Sequence, residues 1–338
     1  MARMARLMAR MARLPVTART GLVMLAGFAL LAIVGPVIAP DNPSTVDPAV
    51  ALQGPSAAHL LGTTQSGQDV LSQLLVGGRD TLLLGLAAGA IATALSVAVG
   101  VTAGFLAGIA DEFLSLLSNI FLVLPALPLL IVVTGELKDR GPLPTAVVIS
   151  ITGWAWGARV LRAQTLSLRG RDYVLAAREA GERAWRIVAF EIIPNEVAII
   201  ASSFVFTTLF AILTYVALAF IGLTDVSTWS WGSMLYWAQN GEALQIGAWW
   251  WFIPPGLCVA LLGMSLALIN FGLDELSDPR LRGIAAPGAD RGDRRRARRL
   301  WRPAAPTPVL YSVPPPDPEP APEPALEQAP QLTVGGQP

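Results

Sequence analysis

The stretch Thr81-Leu-Leu-Leu-Gly85-Leu-Ala-Ala-Gly89-Ala-Ile-Ala-Thr-Ala-Leu-Ser96-Val-Ala-Val-Gly100-Val-Thr-Ala-Gly104-Phe-Leu-Ala-Gly108-Ile-Ala110 contains no charged residue. A helix needs about 20 residues, at roughly 1.5 Å each, to cross the hydrocarbon core of a bilayer. This run is long enough, so it predicts a membrane-spanning helix. Gly85 and Gly89 are spaced by four, as are Gly100, Gly104 and Gly108. Small residues at that spacing form one helical stripe that lets another helix approach closely. The stripe fits plain packing inside a bundle or a dimerisation face, and either way the helix belongs in a bundle.

Five further apolar stretches lie around it: 21–38, 113–134, 145–160, 197–223 and 246–271. The 338-residue chain is 53% hydrophobic and only 14% charged, too little charge to cover a water-facing surface. The fold class that follows is all-α: a polytopic membrane protein with six transmembrane helices. Domain organisation is then a basic N-terminus (1–20), a transmembrane domain (21–283) and a tail (284–338). Within the domain lie the first helix (21–38), an outer segment (39–80), core helices (81–271) and a long loop at 161–195. The sole cysteine, Cys258, excludes an intramolecular disulfide.

Basic residues set the orientation. With the N-terminus inside, 21 of the 24 Lys and Arg fall in cytoplasmic segments or at cytoplasmic span ends. Only Arg79, Lys138 and Arg140 lie outside, so both termini are expected in the cytoplasm. A signal peptide is the other reading of the first span. Its long apolar run and the lack of a small-x-small cleavage site speak against that. The Met-Ala-Arg repeats at Met1, Met4, Met8 and Met11 read as a basic membrane-surface arm or as a start codon assigned too early. Beyond Pro303 the Pro- and Ala-rich tail buries too little apolar surface to offset its ordering entropy, so disorder is expected. The basic run from Arg291 to Arg302 suits anionic headgroups better than nucleic acid.

No span holds an Asp, Glu, Lys, Arg or His in its central part. Ion-coupled transporters usually carry charge at mid-membrane, so the energy for any transport is expected from outside the membrane domain. Trp229, Trp231, Trp237, Trp249, Trp250 and Trp251 read as an aromatic belt at the outer interface, with substrate stacking as the other role. Pro254 and Pro255 should kink or unwind the last span. There is no Gly-x-x-x-x-Gly-Lys-[Ser/Thr] loop to cradle a phosphate. His59 is the only histidine, which excludes a histidine metal cluster or a catalytic triad, so no catalytic, cofactor or metal site is expected.

The loop at 161–195 reads Gly170-Arg-Asp-Tyr-Val-Leu-Ala-Ala-Arg-Glu-Ala-Gly181, then Glu-Arg-Ala-Trp185-Arg-Ile-Val-Ala-Phe-Glu-Ile-Ile-Pro194-Asn195. It predicts a short helix from Tyr173 to Ala180, with Asp172 as N-cap and Gly181 as stop. Tyr173, Ala176, Ala177 and Ala180 then share one face, low enough in profile to sit in another protein's groove. A second helix bearing Trp185, Ile187, Val188 and Phe190 would lie along the membrane before Pro194 opens the fifth span.

This loop resembles that of the permease subunits of ABC importers. Their EAA loop runs Glu-Ala-Ala, three residues, Gly, nine residues, Ile-x-Leu-Pro. Leu175-Ala176-Ala177, Gly181 and Ile192-Ile193-Pro194 keep that spacing, while Leu175 replaces the acid and Glu191 the isoleucine. Leu61-Gly-Thr-Thr-Gln-Ser-Gly67-Gln-Asp69-Val-Leu-Ser72-Gln-Leu-Leu-Val-Gly-Gly-Arg79 is similar to a segment of the dipeptide, oligopeptide and nickel branch. There Thr64 is usually Asp, and Gln68 and Gln73 are usually Arg. Asp278-Pro279-Arg280-Leu281-Arg282 also looks like this branch. The resemblance implies a plasma-membrane permease that carries short peptides or a similar small solute. Its implied partners are a second, homologous permease, two ATP-binding subunits that hold ATP and Mg, and an extracytoplasmic solute-binding protein. It further implies that Tyr173, Ala176, Ala177, Arg178, Gly181, Trp185 and Pro194 form the contact that couples the spans to the ATPases. A stand-alone secondary transporter and a membrane scaffold are the competing readings; the first lacks an internal ion site and the second leaves the loop's spacing unexplained.

Overall fold

A computed structural model describes residues 15–277. The basic residues before Pro15, the 278–282 stretch, the Arg291–Arg302 run and the Pro-rich tail lie outside the described residues. Among those described, the chain is helical with no strand, apart from one isolated bridge between Thr63 and Asp69.

The order is α1 (Val16–Ile38), α2 (Val70–Leu106), α3 (Ile109–Val123), α4 (Ala126–Gly135), α5 (Pro142–Arg169), α6 (Asp172–Glu179), α7 (Ala184–Ile187), a π turn (Val188–Ile192), α8 (Ile193–Phe220), α9 (Trp231–Asn240) and α10 (Trp249–Ser277). The helix quoted first starts well before Thr81. Asp69 caps it, its Oδ2 accepting from the Ser72 N–H at 2.7 Å, which satisfies a free donor of the first turn. It also ends at Leu106 rather than Ala110, because Ala107 and Gly108 both take positive φ.

Among the described residues, four helices are long and apolar enough to cross a membrane: α1, α2, the continuous run Ala184–Phe220, and α10. The pair α3–α4 makes a fifth if its 88° bend belongs to one broken span. The expected third span is thus not one straight helix. Its break falls at Leu124, and Pro125 follows, a residue that disfavours α conformation in its predecessor. The expected fourth span, α5, has 28 residues but is more polar than these helices. Its burial explains why. Thr145, Ser150, Trp154, Gly157 and Thr165 are all buried on it, so this helix faces protein on much of its surface and need not match lipid.

α2 is the centre of the bundle. A Cβ at Gly85 or Gly89 would run into Ile212 or Thr208 of α8, and one at Gly100 or Gly104 into Ala158 or Thr165 of α5. The glycine stripe is therefore used inside the chain, against two different helices. Hydroxyls reinforce the same seams: Ser150 donates to the Ala88 carbonyl at 3.0 Å, Ser96 to that of Trp154 at 2.6 Å, and Thr93 and Thr207 pair at 2.9 Å. Helix α1 lies against α10, with Gly21 beneath the Ser265 carbonyl and Gly272 against Ala18.

The tryptophans do not form a simple interfacial belt. Trp231 and Trp251 are buried. Trp231 donates to the Leu74 carbonyl at 3.0 Å, Trp250 to that of Thr63 at 3.2 Å, and Trp229 to the Ser44 hydroxyl at 2.9 Å. They fasten the 39–80 segment and the start of α2 to the C-terminal third of the chain. Only Trp237 and Trp249 stay widely exposed among the six. Helix α10 also continues unbroken through Pro254 and Pro255, so the expected unwinding does not occur.

The three positions where the resemblance has charges form a neutral network. Gln73 is buried and donates to Gln68 Oε1 at 3.1 Å and to the Pro43 carbonyl at 3.3 Å, while the Thr64 hydroxyl accepts from the Gln68 N–H at 3.1 Å. Removing all three charges together avoids leaving one buried and unpaired.

Candidate functional site between α5 and α8

Helix α6 begins one residue earlier than the sequence suggests. Arg171 occupies the N-cap without a side-chain bond, so Asp172 is the first helical residue and not the cap. There its carboxylate favours the positive end of the helix dipole. At the other end, the Gly181 N–H donates to the Arg178 carbonyl at 3.0 Å and the Glu182 N–H to that of Ala177 at 3.1 Å. These two bonds form a Schellman cap, which needs a residue with positive φ at its turn. Gly181 supplies it, with φ +77°.

Val174 is fully buried under α6, in a cluster with Val101, Phe105, Leu161, Leu168, Ile187 and Ile192. Ala177 packs against this cluster from its edge. Ala177 is accordingly turned partly inward and does not share a fully open face with Tyr173, Ala176 and Ala180, all of which are exposed. The open face instead carries Asp172, Tyr173, Leu175, Ala176, Glu179 and Ala180. The Arg178 guanidinium lies 4.8 Å from the centre of the Phe105 ring. This cation–π contact ties α6 to the last turn of α2.

The expected second helix is not a separate element. α7 passes through the π turn directly into α8, with Pro194 as the second residue of α8. Pro194 has no N–H for the Phe190 carbonyl, and the chain takes one wider turn there. Trp185 and Phe190 point outward, each 63% exposed, whereas Ile187 and Ile192 are buried. A cleft of about 160 Å³ lies beside α6, lined by Ala177, Ala180, Glu182, Arg186, Ile187, Phe190 and Glu191. Glu182 and Arg186 pair across one turn at its rim, Nη1 to Oε2 at 2.7 Å.

The geometry is thus a short, capped helix standing on a buried valine between two long helices, with Ala176 and Ala180 facing outward beside Asp172, Tyr173, Leu175 and Glu179. The family model of the binding-protein-dependent transport system inner membrane component matches residues 81–283, which include all of this site. The chain belongs to that family.

The expectation of an ABC importer permease is met. The permease also matches the model of the N-terminal transmembrane domain of oligopeptide transport permease C, over residues 16–55. It is 31% identical over 268 residues to the oligopeptide transport system permease protein OppC of Bacillus subtilis, covering 78% of this chain and 86% of that one. It is 32% identical over 271 residues to the dipeptide transport system permease protein DppC of the same organism, with 78% and 82% covered. The di/tripeptide transport system permease protein DppC of Pseudomonas aeruginosa is 32% identical over 274 residues, with 78% and 88% covered. The permease is a multi-pass membrane protein.

Sequence reasoning missed four residues that hold the site: Glu196, Arg162, Asp111 and Phe105. Glu196 is fully buried and accepts from the Thr165 hydroxyl at 2.7 Å. Arg162 grips Asp111 through two hydrogen bonds, one of them Nη2 to Oδ2 at 2.8 Å, and so joins α5 to α3. Phe105 receives Arg178. Glu196 and Asp111 adjoin span ends, and their charges in an otherwise apolar context were the available signal. Nothing local pointed to Phe105.

Proposed function

We propose that this permease is the membrane-spanning subunit of a bacterial plasma-membrane importer for short peptides. It has six spans, with α5 as the fourth, and both ends in the cytoplasm. The chain forms part of the translocation pathway together with a second, homologous permease. Two ATP-binding subunits hold ATP and Mg, and an extracytoplasmic binding protein delivers the solute. The chain holds no nucleotide and hydrolyses no ATP itself. The arginine and lysine split supports the orientation. The names of the relatives support the peptide as cargo.

The observation that carries the mechanism is the Gly181 cap on α6. It ends the helix sharply, so Tyr173, Ala176 and Ala180 project from a rigid, low surface into the ATPase cleft. Ala177 and Arg178 anchor α6 from behind, through the Val174 cluster and Phe105. Trp185 adds an exposed apolar contact beside it, and Pro194 sets where α8 begins. Closure of the ATPases would push α6, and α5 and α8 would carry that motion into the bundle. Exposed apolar side chains on α1, α3 and α4, such as Ile33, Phe113, Leu116, Val123 and Val132, suit lipid and the second permease.

Affinity capture of the intact complex from membranes tests this reading. A second permease and two ATP-binding subunits should co-purify, and peptide should be identified on the associated binding protein. ATP turnover by the isolated chain, or capture without any ATP-binding subunit, would overturn it.

A further inference from the structure

The segment between α1 and α2 brings together three side chains that lie outside the coupling site. Asp41 follows the end of α1, His59 lies midway, and Asp69 is the N-cap of α2. One ligand atom from each lies within 4.8 Å of the others. His59 Nδ1 stands 3.1 Å from Asp69 Oδ1. Two ligands of a tetrahedral zinc, each at about 2.0–2.1 Å, stand roughly 3.3 Å apart, so this pair already has nearly the spacing of a chelating edge.

The other contacts leave that edge free. Asp69 uses Oδ2 for the helix cap, accepting from Ser72 N and Oγ, both at 2.7 Å. Among the described residues its Oδ1 meets only His59. The Asp41 N–H donates to Ser72 Oγ at 3.0 Å, which fixes the Asp41 backbone beside the cap, while its exposed carboxylate makes no hydrogen bond among the described residues. Structural capping accounts for Asp69 but not for an imidazole and a second carboxylate gathered around its spare oxygen.

We propose that Asp41, His59 and Asp69 form a binding site for one divalent cation of the zinc class. The two carboxylates match its charge. The imidazole selects a borderline cation over magnesium or calcium, which prefer all-oxygen shells. Without the ion, the contact with Asp69 Oδ1 needs a hydrogen on Nδ1; a bound metal would take the place of that hydrogen, with the ring proton then on Nε2. Exposure of Asp41 leaves a path for the ion and room for water as a further ligand. A bound ion would staple the end of α1, the middle of the connecting segment and the start of α2. A single histidine excludes a histidine cluster; here the fold supplies carboxylates instead.

The test uses the full-length permease, purified in detergent through a tag free of histidine and titrated with zinc chloride against a chromophoric chelator. One zinc per chain is expected, with binding about tenfold weaker or more in His59→Gln and in Asp41→Asn. Asp41→Asn keeps the backbone bond to Ser72 and should melt like the wild type without zinc. Zinc should raise the Tm of the wild type and leave that of both variants unchanged. Zinc held equally by all three chains, or by none, overturns the proposal.

Discussion

The Thr165 hydroxyl donates to Glu196 Oε1 at 2.7 Å, and both residues are fully buried. Thr165 lies one turn before α5 ends and Glu196 in the first turn of α8, so this bond closes the base of the loop that presents α6. Among the described residues Glu196 Oε2 has no partner, so there the Thr165 bond alone holds the carboxyl. Thr165→Val removes it and should cost about 1–3 kcal/mol, as expected when a buried acceptor loses its donor. A lower Tm in detergent checks this, with Thr165→Ser restoring it. An unchanged Tm in the valine variant would show that the bond contributes nothing.

The glycine stripe separates close helix approach from helix propensity. A Cβ at Gly100 would sit 2.9 Å from Ala158 Cα, while one at Gly27 on α1 meets nothing within 4 Å. Gly100→Leu should therefore force α2 and α5 apart, at a cost of about 1–3 kcal/mol or more. Gly27→Leu should be neutral or slightly stabilising, because leucine favours helix over glycine. Comparing Tm and folded yield of the two variants in detergent decides it. Equal losses in both would mean that membrane insertion, and not packing, sets the effect.

Much of this was legible in the sequence, for physical reasons that differ by element. The apolar runs of α1, α2, α8 and α10 stand out because lipid selects for composition alone. The Gly181 stop is readable because only a few residues tolerate positive φ. By contrast, α5 is covered by neighbouring helices, and its Thr, Ser and Gly content reflects partners far away in sequence. The start of α2 at Val70 depended on seeing Asp69 as a cap rather than as part of a loop. The inward turn of Ala177 depends on Val174, whose burial pocket is built from α2, α5 and α8 together. Trp231 and Trp250 look like interface anchors in sequence because nothing local reveals Leu74 or Thr63 as their acceptors.

Whether α5 crosses the membrane is decided by its two ends. At 28 residues and about 1.5 Å each it spans roughly 42 Å, enough for a bilayer. Reporter fusions after Asp139 should therefore signal outside and those after Arg183 inside. A fusion after Asp290 should also signal inside. The same side for Asp139 and Arg183 would remove α5 from the spans and with it the six-span arrangement.

Gly181 allows the clearest separation of folding from coupling. Its φ is +77°, and a Cβ there would meet no atom of the described residues within 4 Å. Any penalty from a larger residue therefore comes from its own backbone and not from crowding. For a β-branched side chain that penalty is roughly 1 kcal/mol or more, small beside the stability of a multi-helix bundle. Gly181→Val should insert and accumulate normally. It should nonetheless lose the bonds from Gly181 to Arg178 and from Glu182 to Ala177, so that α6 leaves its socket at another angle. The expected phenotype is uncoupling: normal membrane level, weakened ATPase association, and uptake reduced by about tenfold or more, the range seen when a small misplacement disturbs a positioned site. Gly181→Asn should behave almost as wild type, since asparagine tolerates left-handed backbone. Uptake assays with immunoblots of membrane levels distinguish the outcomes. Normal uptake in the valine variant would remove α6 from the transmission path, and absence of the protein from the membrane would assign Gly181 to folding alone.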